Sequence, residues 1–205
     1  SAPFNVRADD AYVDANDNLS VTITGTSGAN YEAVSTSGTI SNSVVDDADV
    51  TTLSLSASAS VSEGGTITYT ASLTNPAETA MSVTLSNGAV INIIAGASSG
   101  NVSVAAPSDD VYIDAGSVSA TIASSSGGNF ESLTTNPAAA ATTITDTIDT
   151  TSVTLSSATA GSNVTEGGSI VYTATVDHLV TGTPLVVTLS NGQTITIPVG
   201  ALSAD

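Results

Sequence analysis

Apolar and polar side chains alternate one by one along much of this chain. Ile67, Tyr69, Ala71 and Leu73 are separated by Thr68, Thr70 and Ser72. A period of two places one set on a buried sheet face and turns the other to water. Val83 and Leu85 flank Thr84 in the same way, and Asn87-Gly88 between two such runs predicts a hairpin turn. Ser, Thr, Val and Ile enrichment favours strands, and no segment has a helical period. The pattern predicts strands over 52–61, 66–74, 81–86, 89–94, 99–105, 117–123 and 139–146. About seven short antiparallel strands in roughly 100 residues amount to an immunoglobulin-like β-sandwich, so the expected fold class is all-β. The Cys…Trp…Cys signature of immunoglobulin domains is absent, so the likeness is one of architecture.

The pattern is also periodic on a longer scale. Asp9-Asp10-Ala11-Tyr12-Val13-Asp14 returns 100 residues later as Asp109-Asp110-Val111-Tyr112-Ile113-Asp114. Asp46 and Asp49 return as Asp146 and Asp149. Glu63-Gly64-Gly65 returns as Glu166-Gly167-Gly168, and Ser86-Asn87-Gly88 as Ser190-Asn191-Gly192, with small loop insertions in between. Tandem repeats of this kind stack as quasi-independent units. Residues 51–150 are expected to be a complete sandwich, 1–50 the C-terminal half of another repeat, and 151–205 the N-terminal half of a third. Each half would leave an apolar face and a strand edge uncovered. Head-to-tail self-association, in which 151–205 of one copy completes 1–50 of the next, is one expectation that follows.

Charge narrows the function. The chain of 205 residues carries 19 acids against one basic residue, Arg7, for a net charge of −18. Nucleic-acid binding needs Lys and Arg to displace counterions, so that class is excluded. Anionic membrane surfaces are disfavoured for the same reason, and no apolar run is long enough for membrane insertion. Cysteine is absent, so no disulfide supports the fold. Aromatic residues make up only 3 %, which leaves the core to Val, Ile, Leu and Ala, with Tyr69 and Tyr172 as its large pieces.

The repeated acids fall at element junctions. In a seven-strand sandwich, the loop after strand one holds Glu63. The loop between strands five and six holds Asp109 and Asp110, and the end of strand seven holds Asp146 and Asp149. All three lie at one pole. Crowded carboxylates repel, and a hard divalent cation with six to eight oxygen ligands relieves them. Oxygen-only ligands without His or Cys point to Ca²⁺ rather than zinc. The same set in the N-terminal half would be Asp9, Asp10, Asp46 and Asp49, with Glu166 donated by another repeat; Asp47 and Asp114 are secondary candidates. Glu32 and Glu131 recur beside the Gly-rich loop at the opposite pole, where simple exposure is the plainer expectation than a second site between repeats.

Ser62-Glu63-Gly64-Gly65, the Asp109-Asp110 loop and the Asp146…Asp149 ending resemble the Calx-beta type of calcium-binding sandwich. The repeat as a whole resembles the extender repeats of large LapA-like biofilm adhesins of the RTX type, exported by type I secretion. Thr165-Glu166-Gly167-Gly168 through Tyr172 and Leu189-Ser190-Asn191-Gly192 through Pro198 carry much of that likeness. The resemblance implies tandem Calx-beta-like sandwiches forming an extracellular, surface-anchored rod, with calcium stiffening its junctions and neighbouring repeats as partners. No enzymatic activity is expected. His178, the only histidine, has no nucleophile setting around it, and the carboxylate pairs lack an aromatic platform for sugar. The alternative function is a carbohydrate- or cell-binding module, which would need an exposed patch that sibling repeats lack.

Overall fold

The computed structural model describes residues 3–205. Among them the regular elements are all strands, and no helix is long and apolar enough to cross a membrane. The chain forms two compact units that interleave in sequence. The first comprises residues up to 59 with 66–105 and 117–142; the second comprises 60–65, 106–116 and 143–205. Compactness therefore divides the chain differently from the repeat period.

In the first unit, β1 (Asp17–Thr22) and β2 (Thr39–Val44) form an antiparallel pair with Leu19 opposite Asn42. Its apolar residues Val21 and Ile40 remain exposed. The body of the unit is a sandwich. One sheet begins with β3 (Val50–Ala57); another strand, β4 (Ser60–Ser62), follows it in sequence but belongs to the second unit. The run expected over 52–61 thus breaks at Ser58. There the Ser58 N–H donates to the Thr68 carbonyl, and the Ser58 hydroxyl oxygen accepts the Thr68 N–H.

Antiparallel pairing joins β3 to β5 (Thr66–Leu73), placing Leu53 opposite Leu73 and Ala57 opposite Tyr69. The facing sheet has β6 (Met81–Leu85) and β7 (Val90–Ile93) as a hairpin, and β8 (Ser99–Ala105) returns to pair along β5. The β6–β7 turn closes as expected from Asn-Gly. Gly88 has φ +84°, its N–H donates to the Leu85 carbonyl, and Asn87 Oδ1 accepts the Ala89 N–H. Gly192 repeats this geometry with the same φ. Only a residue free to take the left-handed region suits that position.

The strand expected over 117–123 is two strands, β9 (Gly116–Ala120) and β10 (Ile122–Gly127). Thr121 lies between them; its N–H donates to Ser86 Oγ and its carbonyl accepts the Ser86 N–H. A further strand, β11 (Ser132–Thr135), runs parallel to β3, and β12 (Ala140–Thr145) follows. The sheet orders are β11-β3-β5-β8 and β10-β6-β7. Residues 50–145 thus hold ten strands rather than about seven. Two of the extra three come from breaks, and the third, β11, has no alternation of its own in Ser-Leu-Thr-Thr. It takes its extended form from the edge of β3.

The alternating face is the core. Leu53, Ile67, Tyr69, Ala71, Val83, Leu85, Ile91 and Ile93 are essentially fully buried. Thr68, Thr70 and Ser72 between them are only half-buried.

In the second unit, β4 pairs in parallel with Thr143–Thr145 of β12. Strands β13 (Val153–Ser157) and β14 (Tyr172–Val176) pair antiparallel. Strands β15 (Leu185–Thr188) and β16 (Thr194–Ile197) form a second pair, and β17 (Ser203–Ala204) flanks β14. Its core is Ala174, Val176, Val180, Ile195 and Ile197, with Leu185 and Val187 packed against it. Tyr172 is 36 % exposed where its repeat counterpart Tyr69 is 0 %. The two residues of β17 cover far less of β14 than the seven of β8 cover of β5.

Replacing a core side chain should separate the two faces of β3. Leu53→Ala is expected to cost about 2–5 kcal/mol through lost transfer energy and a cavity. Ser56→Ala, on the exposed side of the same strand, should stay within about 0.5 kcal/mol. Urea unfolding of both variants measures the contrast.

Candidate metal centre

The Glu63 loop is built by two glycines. The Gly65 N–H donates back to the Ser62 carbonyl (3.0 Å), and the Gly64 N–H reaches the Pro107 carbonyl (2.7 Å). Gly64 has φ +66°. A Cβ on Gly65 would lie 2.6 Å from Val61 Cγ1 and 2.8 Å from the Ser62 carbonyl oxygen, so nothing larger fits the turn. The Glu63 N–H donates to the Thr145 carbonyl (3.0 Å), one residue before Asp146. This ladder carries Glu63 to the end of β12, and the 106–116 loop brings Asp114 to the same place.

Glu63, Asp114 and Asp146 each offer a carboxylate oxygen within 4.8 Å of the others. Glu63 is only 7 % exposed. Its Oε2 is buried without a hydrogen-bond partner, and so is Asp146 Oδ1. Two buried acceptors facing a third carboxylate would repel if all were ionised. Hydrogen bonding to Asp114, burial, and the charges of Asp114 and Asp146 push the Glu63 pKa up to about 7, which favours the neutral acid over the ion. No side-chain cation relieves the three acids, since the one basic residue is Arg7, which is engaged elsewhere.

Of the five acids expected at this pole, Glu63 and Asp146 meet. Asp114, a secondary candidate, completes the group. Asp109 packs at Gly64, 3.5 Å from where a Cβ would sit, and accepts the Thr147 hydroxyl. Asp110 Oδ1 accepts the Tyr112 N–H (2.8 Å), and Asp149 is exposed. The Asp-Asp pair therefore shapes the loop, and the acid at its far end reaches the centre.

The N-terminal acids divide into two groups. Asp9, Asp47 and Asp49 bring carboxylate oxygens within 4.8 Å of one another, all on exposed residues. Hydrogen bonding to Asp47, with the charges of Asp47 and Asp49, raises the Asp9 pKa. Asp46 instead accepts the Asp14 N–H (2.9 Å) and pairs with Arg7 (2.7 Å), which together hold its pKa below the ordinary value. Asp10 Oδ1 accepts the Tyr12 N–H (2.9 Å), as Asp110 does for Tyr112. Glu166 lies exposed in the second unit. Glu131 is half-buried and accepts the Asp49 N–H (2.6 Å). That bond lowers its pKa, but burial and the nearby Asp46 and Asp47 raise it further, to a net position above the ordinary value. Nothing in its sequence neighbourhood signals this reach to Asp49.

The Asp-Asp-x-Tyr-x-Asp loops share one more feature. The Tyr12 hydroxyl donates to the Pro76 carbonyl (2.8 Å), and the Tyr112 hydroxyl to the Leu179 carbonyl (3.0 Å). Pro76 and Leu179 are equivalent positions, related by the same 103-residue offset as Glu63 and Glu166. In both places the tyrosine of one repeat is tied to the loop after the second long strand of the next. Tyr12 also packs on Phe130, ring centroids 6.1 Å apart, and the flanking backbone bridges to Asn129–Glu131.

Neither a curated protein nor a solved structure matches this sequence. The LapA domain matches twice, over residues 49–147 and 149–205, in the register of the repeat. Those two stretches cover most of the chain, and with its all-β sandwich the chain belongs to the LapA domain family, a family of surface-adhesin modules.

Proposed function

We propose that the chain is an extender segment of a bacterial cell-surface adhesin, a spacer whose repeat junctions are stiffened by calcium and which supports adhesion and biofilm formation. The observation that carries the calcium reading is the buried, unpartnered Glu63 Oε2 facing Asp114 and Asp146. All donors are hard oxygens, which suits Ca²⁺. Glu63 and Asp146 would hold the ion from just beyond the ends of β4 and β12, and Asp114 from the 106–116 loop. A bound ion supplies the positive charge that lets all three ionise together. It would also fix the segment 112–114, and with it the tyrosine tied to the next repeat. The metal centre and the joint share one short loop, so loss of the ion would loosen the joint.

A carbohydrate-binding reading has one observation in its favour. An open cleft of about 580 Å³ is lined by Tyr112, His178, Leu179 and Pro184 among others. The Tyr112 hydroxyl is already committed to the Leu179 carbonyl, and His178 Nδ1 lies 2.9 Å from Asp177. The polar groups that would read a sugar are thus largely engaged within the unit, and the spacer reading is preferred.

Calcium should raise the melting temperature, and chelator should lower it. Glu63→Gln should abolish most of that shift, because it removes the central ligand charge and keeps the side-chain size. Differential scanning calorimetry with and without calcium reads both; an unchanged calcium shift in Glu63→Gln would sink the site.

The proton and the metal compete for Glu63. Its folded pKa of about 7 lies above the ordinary 4.5. In chelator this group therefore contributes stability that is full below pH 4.5 and is lost as pH rises through 7. Metal-free protein should gain stability from this group on acidification between those values. The calcium-dependent increment should shrink over the same window. Melting temperatures across pH, with and without calcium, measure the crossover.

Tyr112→Phe keeps the ring and deletes the hydroxyl donor. A net loss of about 0.5–1.5 kcal/mol is expected for that bond. It should appear as faster amide exchange around residues 177–180, with 66–105 unaffected.

A further inference from the structure

We propose that Arg7 is a built-in cation: its guanidinium takes, among Asp14, Asp17 and Asp46, the role that a calcium ion takes among Glu63, Asp114 and Asp146. This rests on the reading of the latter group as a metal centre. The two sites are related by the repeat. Asp14 and Asp46 are the counterparts of Asp114 and Asp146, each 100 residues earlier. In the later copy the two acids face a buried glutamate with no cation. In the earlier copy they face the chain's only Arg or Lys.

The geometry is that of a filled site. Arg7 Nη2 lies 2.7 Å from Asp46 Oδ1, Nε lies 3.5 Å from Asp14 Oδ2, and Nη1 lies 3.7 Å from Asp17 Oδ2. Nη1 also donates to the Ala15 carbonyl. One planar fork thus hydrogen-bonds Asp46 and a backbone oxygen and lies within ion-pair distance of Asp14 and Asp17, an arrangement that suits guanidinium. The side chains of Arg7 and Asp46 are each 23 % exposed, so the pair is shielded more than a surface ion pair. Asp46 closes the ring by accepting the Asp14 N–H at 2.9 Å. The counterpart of Arg7 is Pro107, and that of Asp17 is Ser117. The earlier copy therefore carries both the cation and an additional acid to hold it, while the later copy has neither.

A covalently attached cation cannot be stripped by a fall in calcium. The segment around Asp14 and Asp46 should then stay ordered under conditions that loosen the Glu63 loop. A rod carrying both kinds of junction would soften unevenly along its length as calcium falls.

Amide hydrogen exchange on the whole chain, read by NMR with calcium and with chelator, tests this. The reporters are the Asp14 N–H, bonded to Asp46, and the Glu63 N–H, bonded to the Thr145 carbonyl. In the wild type, chelator should speed Glu63 exchange roughly tenfold and leave Asp14 within about twofold. Arg7→Gln should make the Asp14 amide exchange roughly tenfold faster in chelator, and calcium should restore it by binding the freed aspartates. Arg7→Lys, which keeps the charge but loses the fork, should retain part of the calcium-independent protection, more than Arg7→Gln does. A wild-type Asp14 amide as calcium-sensitive as Glu63 would overturn the proposal. So would Arg7→Gln without effect, or with a loss that calcium does not restore. If Arg7→Gln fails to fold, the wild-type comparison and Arg7→Lys still decide. An unresponsive Glu63 amide would count against the calcium centre alone, because the Asp14 amide reports Arg7 separately.

Discussion

Three carboxylates that converge without a counter-charge set the central constraint on this molecule. Glu63 is nearly sealed from water, yet one of its oxygens has no donor. A buried, unpaired acceptor is costly unless it is protonated or bound to a cation. The features around it follow from keeping that arrangement in place. Gly64 and Gly65 make a turn too tight for a Cβ, the Thr145 carbonyl anchors the Glu63 N–H, and the parallel pairing of β4 with β12 sets Asp146 beside it.

The same acidic loop links this centre to the connection between repeats. Asp110 caps the Tyr112 N–H, Tyr112 reaches the Leu179 carbonyl, and Asp114 ends at the centre. Five residues thus combine a local cap, a tether and a member of the carboxylate cluster. The earlier loop repeats the cap and the tether through Asp10 and Tyr12. Its last acid, Asp14, turns to Arg7. The same motif therefore sits in two electrostatic settings, with Asp14 beside Arg7 and Asp114 beside Glu63 and Asp146. In a protein of net charge −18, Arg7 is the one Arg or Lys side chain that offsets any of the acids.

Much of the sandwich is legible in the alternation alone. Ile67, Tyr69, Ala71 and Leu73 are buried as their period requires. Both Asn-Gly turns close with a left-handed glycine. β11 is less legible, because Ser132–Thr135 has no pattern of its own and is extended by pairing with β3. The break at Ser58 is likewise invisible in a run of alternating Ser, Leu and Ala. It reflects a change of partner from β5 to β12, which depends on residues more than eighty positions away.

The sequence by itself determined the repeat, the all-β fold and the core face, because each depends on local periodicity or on self-comparison. Glu63 and Asp146 were readable for the same reason. Only the tertiary structure decided that Asp114 joins them while Asp109 and Asp110 turn to Thr147 and Tyr112. Which way an acid in a loop faces depends on the path of the backbone and on the donors it meets, and these come from distant strands. The partner of Arg7 was hidden for the same reason: Asp46 lies 39 residues away along the chain and is brought close only by folding.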